Sequence, residues 1–164
     1  MTETSLPDAV ERALDAHEAF ERVDDGYALS TSVFETTVTA TPADEPKDGR
    51  VRVSVTLPTL DAAVEGETVA PVVEDGWFET LERRLVDVFT VAKTETYEAP
   101  VVERTGRTVT VVLTYDAWDA KTGVADAKAL AEFVEGTFAQ GIIPGYTYRG
   151  PARELLENAQ SRGQ

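Results

Sequence analysis

The sequence predicts an α+β fold in which helices pack on one face of a single antiparallel sheet. Apolar residues recur at helical spacing in some segments and alternate with polar residues in others. The connections between consecutive strands are short, which favours antiparallel pairing. The alternating strands carry Val, Leu and Phe on one side and Thr, Ser and Arg on the other, so we expect one buried and one exposed sheet face. The predicted element order is α-β-β-β-α-β-β-α.

The first helix is predicted for residues 6–20. Ser5 and Asp8 have the spacing of a capping box, with Asp in place of the usual Glu, and Pro7 lies in the first turn. The sequence Asp-Asp-Gly at residues 24–26 is expected to end this helix.

Three strands are expected next, at residues 27–31, 34–41 and 51–57. The third is the clearest, because its valines and leucine alternate strictly with polar residues. Residues 43–49 are rich in turn-forming residues and predict a hairpin loop between the second and third strands.

A long acidic connector at residues 58–76 separates this half of the sheet from a second helix. Connectors of this length are usually functional, disordered or hiding a short element, and residues 68–73 are the candidate for such an element. The second helix is predicted for residues 77–92 from its wide apolar stripe.

The remaining elements are two strands and two helices. The strands at residues 95–103 and 107–115 are joined by a hairpin that contains Gly106. A third helix is predicted for residues 123–138, and a short tail helix for residues 152–159.

The length of 164 residues favours a single domain over residues 1–164, with about residues 1–4 and 160–164 disordered. Without cysteine there is no disulfide framework and no thiol chemistry. The N-terminal residues lack the pattern of a signal peptide, and no apolar run is long enough to span a membrane. We therefore expect a cytoplasmic protein without a membrane partner.

The charge balance is the most unusual property of the composition. The chain has 30 Asp and Glu against 15 Lys and Arg, a formal net charge of −15, and only four of the basic residues are lysines. This composition is typical of proteins from molar salt, and we predict a fold that requires salt; an ordinary acidic protein is the alternative. Nucleic acid is excluded as an expected partner, because its binding depends on Lys and Arg contacts with phosphate.

Catalytic and cofactor motifs are weak or missing. His17 is the only histidine, so a zinc site with several imidazoles is excluded, and no nucleophile elbow or phosphate-binding glycine loop occurs. Asp116, Asp119 and Asp126 form an acidic cluster in which solvated surface and helix-terminal charge are the favoured roles. We expect no catalytic residue, no metal and no cofactor.

Residues 141–151 form the most distinctive segment, and no Asp or Glu lies between Gln140 and Arg153. We consider two interpretations: a clamp that folds over the core, and the wall of a binding cleft. The candidate cleft residues are Ile142, Ile143, Tyr146, Tyr148 and Arg149.

The Gly-Ile-Ile-Pro-Gly-Tyr sequence at residues 141–146, the Gly-Trp-Phe sequence at residues 76–78 and the acidic composition resemble a family of haloarchaeal proteins of unknown function. This resemblance spans nearly the whole chain and implies no activity. The element order separately resembles the type III secretion chaperone-like fold, whose members are small, acidic and often dimeric protein-binding domains.

We therefore expect a non-enzymatic binding or adaptor domain, chaperone-like and homodimeric, with a protein or peptide partner. Its contact surface would be the Thr-rich sheet face, the second helix, or the cleft at residues 141–148. The alternative is a small-ligand binder or enzyme that uses Asp, Arg and Tyr groups in that cleft.

Overall fold

The computed structural model describes residues 8–24 and 26–162. Its elements in chain order are α1 (Asp8–Ala16), β1 (Phe20–Val23), β2 (Gly26–Leu29), β3 (Glu35–Thr41), β4 (Gly49–Pro58), α2 (Leu60–Ala63), α3 (Pro71–Leu85), a 3-10 helix (Val88–Val91), β5 (Val101–Thr105), β6 (Thr108–Ala117), α4 (Ala120–Gln140) and α5 (Gly150–Arg162). Among these residues no helix combines the length and the apolar character that a membrane span requires.

The strands form one six-stranded antiparallel sheet in the order β1-β2-β3-β4-β6-β5. Its central strands align their buried valines and leucines: Val38 pairs with Val53, and Val53 pairs with Leu113. Because strand side chains alternate between faces, this register collects the apolar side chains on one face. The α+β class and the single antiparallel sheet predicted from the sequence are confirmed.

Helix α4 is the centre of the buried layer. It is 21 residues long and contacts α1, α3, α5 and strands β4 and β6. Its Phe138 ring meets those of Phe34 and Trp77 edge to face, with centroid distances of 4.9 and 5.8 Å. Gly123 allows the close approach of α4 to β6, because a Cβ atom there would lie 2.4 Å from the Cβ of Ala117. The buried layer therefore fixes both the start and the end of α4.

The opposite face of the sheet consists mainly of half-buried and exposed side chains, although Asp116 at the end of β6 is buried. On β4 these are Arg52, Ser54 and Thr56, and on β6 they include Val112 and Thr114. The polar side of the alternation in the sequence therefore lies on this uncovered face.

The first helix is shorter than predicted, and the sheet has one strand more. Helix α1 ends at Ala16, and Phe20 begins β1, where it pairs with Leu29. The backbone turns between them, where the Ala19 amide donates to Nδ1 of His17 and the Phe20 amide donates to the His17 carbonyl. Phe20 is buried in β1, but its spacing from the helix residues also fits a helical stripe. The helix predicted from this periodicity is therefore too long.

Three further boundaries differ from the prediction. The long connector contains α2 and the first turns of α3, whose start at Pro71 is favoured because proline suits the first helical turn. Helix α3 ends at Leu85 before a separate 3-10 helix, and β5 begins at Val101, with Tyr97 forming an isolated bridge to Tyr115. The expected disorder of residues 1–4, and of residues 163 and 164, lies outside the described residues; the backbone of α5 continues to Arg162.

Candidate functional site

An apolar groove of about 370 Å³ lies between α3 and the C-terminal end of α4 with the segment that follows it. We call it the α3–α4 groove. Its lining residues are Val72, Val73, Gly76, Trp77, Thr80, Leu81, Arg84, Thr137, Gln140, Gly141, Ile142, Ile143 and Pro144. Its volume is within the range of ligand pockets.

Helix periodicity explains the α3 wall. Trp77 and Leu81 are one turn apart, and they are buried with only 7% and 3% of their surface exposed. Thr80 and Arg84 follow on the adjoining stripe and form the rim of the groove. The α3 side of the groove therefore has a buried aromatic and aliphatic floor and a polar edge.

The opposite wall begins where α4 ends. The amide of Gly141 donates to the Phe138 carbonyl over 3.0 Å, and the amide of Ile142 donates to the Ala139 carbonyl over 3.2 Å. A Cβ atom at position 141 would lie 3.0 Å from Nε1 of Trp77, so glycine permits the close approach of the two walls. Ile142 and Ile143 are partly buried and pack against the core.

A tyrosine fixes the position of this second wall. Tyr148 is 4% exposed; its hydroxyl accepts the Ile143 amide hydrogen over 2.8 Å and donates to the Ile143 carbonyl over 3.2 Å. Burial raises the pKa of Tyr148 above its usual value. Tyr148 also forms an antiparallel bridge with Val64. The segment is therefore held closed from inside the core.

The next residues attach the segment to α2. The Arg149 amide donates to the Ala63 carbonyl over 2.9 Å, and Nε of Arg149 donates to the Ala62 carbonyl over 3.1 Å. The rings of Tyr146 and Tyr148 meet edge to face, 6.5 Å apart. These residues anchor the segment and do not line the α3–α4 groove.

The five candidate cleft residues thus fall into two groups. Ile142 and Ile143 line the groove, whereas Tyr146, Tyr148 and Arg149 hold the segment in place. The α3 residues were not assigned to this cleft from the sequence, where the second helix was a separate candidate surface. Their signal was present in the Gly-Trp-Phe start and the apolar stripe, but the two walls lie about 60 residues apart in the chain.

The groove lining differs from the rest of this acidic chain in its charged residues. Among the described residues it contains no Asp or Glu, and Arg84 is its one charged side chain. Each of three other cavities in the described chain has at least two acidic residues in its lining. In a chain with 30 acidic residues, this lining suits an apolar ligand that has a hydrogen-bond acceptor or an anionic group.

The predicted acidic cluster surrounds a different cavity, of about 410 Å³, and its carboxylates already have protein partners. Asp116 accepts from Nζ of Lys47 over 2.7 Å, and Asp126 accepts from the backbone amides of Lys93 and Thr94 over 2.8 and 3.0 Å. Asp119 caps α4, and hydrogen bonds from Thr122 lower its pKa. Within residues 8–24 and 26–162, no group of three or more acidic or histidine side chains is placed to hold a metal ion.

His17 also has a local structural partner. Its Nδ1 accepts the Ala19 amide hydrogen over 3.2 Å, and its ring meets Phe20 edge to face at 5.2 Å. It lies in the turn between α1 and β1, and it is not among the residues that line the α3–α4 groove.

The fold and the groove together define a single-sheet α+β domain with an apolar cleft between two of its helices. Residues 15–158 match the model of a family described as "Family of unknown function (DUF5813)", and the chain belongs to this family. No curated protein and no solved structure matches the chain. The haloarchaeal origin and the likeness to type III secretion chaperones therefore stay predictions.

Proposed function

We propose that the chain is a non-enzymatic adaptor domain that binds an apolar peptide segment of a partner protein in the α3–α4 groove. The observation that carries the proposal is the groove lining, which includes Trp77, Leu81 and Ile142 and no carboxylate, in a chain of net charge −15. Grooves between helices are a common site for apolar peptide side chains. Val72, with 78% of its surface exposed, adds an accessible apolar side chain to this lining.

Binding is favoured over catalysis because the groove lacks the groups that acid–base chemistry uses. The alternative function requires a carboxylate with a raised pKa facing Arg and Tyr. The tyrosines of this segment are not in the groove lining, and the carboxyl groups of Asp15, Asp61 and Asp119 have lowered pKa values. Hydrogen bonds to these carboxylates are the largest cause of each shift.

Tryptophan fluorescence provides a direct test. A Trp118→Phe variant leaves Trp77 as the only tryptophan, so its emission reports on the groove floor. We expect the peptide acetyl-Leu-Ile-Leu to shift the Trp77 emission to shorter wavelength with a saturable curve, because it displaces water from the indole.

Two glycines offer a matched pair of variants in the same background. Gly76 lies on the groove and Gly136 on another cavity; both are in helices, and a Cβ atom would meet nothing within 4 Å at either. Both leucine variants should fold, since leucine favours a helix over glycine. We expect Gly76→Leu to abolish the titration and Gly136→Leu to preserve it. Equal titration curves for the two variants would reject the groove as the binding site.

We include a cytoplasmic location and self-association through the uncovered sheet face in the same proposal. On this face Val101 of β5 lies beside Val112 of β6, and 46% of the Val101 surface is exposed. A face of Thr, Ser and Val side chains suits contact with a second copy better than the acidic helix surfaces do. Light scattering in about 2 M KCl, where surface charge is screened, tests this part, and a monomer at all concentrations would contradict it.

A further inference from the structure

We infer that the α3–α4 groove recognises the C-terminal end of a partner polypeptide, with an apolar last side chain on the groove floor and the free carboxylate on Arg84. This inference rests on the proposed function and specifies the partner's chemistry.

The first support is the charge of the groove. Arg84 is exposed on the rim and forms no ion pair with any described residue, although acidic residues outnumber basic residues two to one. Arg22 and Arg104 have carboxylate partners within 3.5 Å, whereas Arg84, like Arg52 and Arg83, has none among the described residues. Of these three arginines, Arg84 is the one that lines the groove. A guanidinium presents paired donors that match both oxygens of one carboxylate. The groove therefore offers a free cation to an anionic ligand.

The second support is a donor at the groove that has no acceptor among the described residues. Only 7% of the Trp77 surface is exposed, and its indole N–H, which keeps contact with solvent, donates to no atom of the described chain. This nitrogen faces Gly141, where both residues line the groove. This N–H is therefore open to the groove, where a ligand carbonyl oxygen could replace water as its acceptor.

The spacing of the two donors favours a peptide end. Trp77 and Arg84 are seven residues apart, so their Cα atoms are about 10.5 Å apart along α3. That distance corresponds to about three residues of extended chain. A peptide carbonyl near Trp77 and a terminal carboxylate at Arg84 therefore span the groove, and the last apolar side chain remains free to contact Leu81 and Ile142. If a glutamate side chain placed its own carboxylate at Arg84, no apolar side chain of that residue would be left to fill this part of the groove floor.

Fluorescence anisotropy with two labelled peptides tests this inference. The probes are fluorescein-Gly-Ser-Leu-Ile-Leu with a free C-terminal carboxylate and the same peptide as a C-terminal amide. We expect the free acid to bind about tenfold more tightly, as a charge-assisted contact predicts. Arg84→Gln should remove this difference. Arg83→Gln is the matched control, because Arg83 is also exposed on α3 but lines a different cavity, and it should preserve the difference.

Each other outcome has a defined meaning. Equal binding of acid and amide to the original chain overturns the carboxylate contact while the peptide-binding function stands. If a peptide amide that ends in Leu-Glu binds more tightly than the free acid, the ligand is an internal acidic segment and the free C-terminus is rejected. Displacement of the labelled acid by octanoate at equal concentration identifies a small carboxylate as the ligand and also rejects it. Failure of both labelled peptides to bind overturns the inference and the proposed function together.

Discussion

At the scale of single residues, the contact between α1 and β2 depends on one buried tyrosine. The Tyr27 hydroxyl donates to Oδ1 of Asp15 over 2.7 Å, and Arg22 lies over the Tyr27 ring at 5.2 Å. Burial and the nearby Asp15 raise the pKa of Tyr27 to about 12. The hydrogen bond from Tyr27, supported by Arg22, lowers the pKa of Asp15. The two groups therefore stabilise the fold only where Asp15 is ionised and Tyr27 is neutral.

We predict that Tyr27→Phe lowers the melting temperature at pH 7 and that this loss shrinks at both pH extremes. The folded state lowers the pKa of Asp15, so its contribution is present above pH 3.8 and decreases as pH falls below it. The folded state raises the pKa of Tyr27, so its contribution is present below pH 10 and decreases as pH rises toward about 12. Thermal melts at acid, neutral and alkaline pH measure this difference. A difference that does not vary with pH would contradict the assignment.

At the scale of elements, the segment between α4 and α5 keeps its shape through backbone contacts on α2. Glu65 donates its amide to the Thr147 carbonyl over 2.7 Å, and Tyr148 satisfies both backbone groups of Ile143. The groove wall is therefore set in place before any ligand binds, which reduces the entropy lost on binding.

We predict that Tyr148→Phe lowers the free energy of unfolding by about 1–3 kcal/mol, because the amide and carbonyl of Ile143 lose their partner. Urea denaturation gives this value. The same variant should weaken acetyl-Leu-Ile-Leu binding, since Ile143 forms part of the groove wall. Tyr146→Phe is the control: the Tyr146 hydroxyl has no partner in the described chain, so it should change neither quantity.

Helix α4 also orders the chain that leads from the 3-10 helix to β5. Asp126 is 3% exposed and accepts the amides of both Lys93 and Thr94. We predict that Asp126→Asn costs about 2 kcal/mol of unfolding free energy, because an amide replaces one acceptor oxygen with a donor. Asp119→Asn, measured in the same urea series, should be nearly neutral, since Asn caps helices as well as Asp does. Similar losses in the two variants would mean that the buried contact has no special role.

At the scale of the whole molecule, the sheet was more predictable than the site. Strict alternation in β4 and β6 reports directly on burial, so the fold class and the buried face followed from the sequence. Strand β1 could not be predicted from the sequence, because the spacing of Phe20 fits a helix and a strand equally well. The groove depended on long-range packing: the acid-free stretch indicated Ile142 and Ile143, but nothing local placed them against Trp77 and Arg84.

The net charge of −15 also acts on the whole molecule, and we predict that the melting temperature rises steeply with KCl. At about 0.1 M salt the Debye length is about 10 Å, so the excess carboxylates repel one another and oppose the compact state. At about 1 M it falls to about 3 Å, and most of this repulsion is removed. Calorimetry from about 0.1 to 2 M KCl should therefore show the largest gain below about 1 M and a weaker dependence above it. Equal melting temperatures across the series would contradict this prediction and show that repulsion among the excess carboxylates does not limit the stability of the fold.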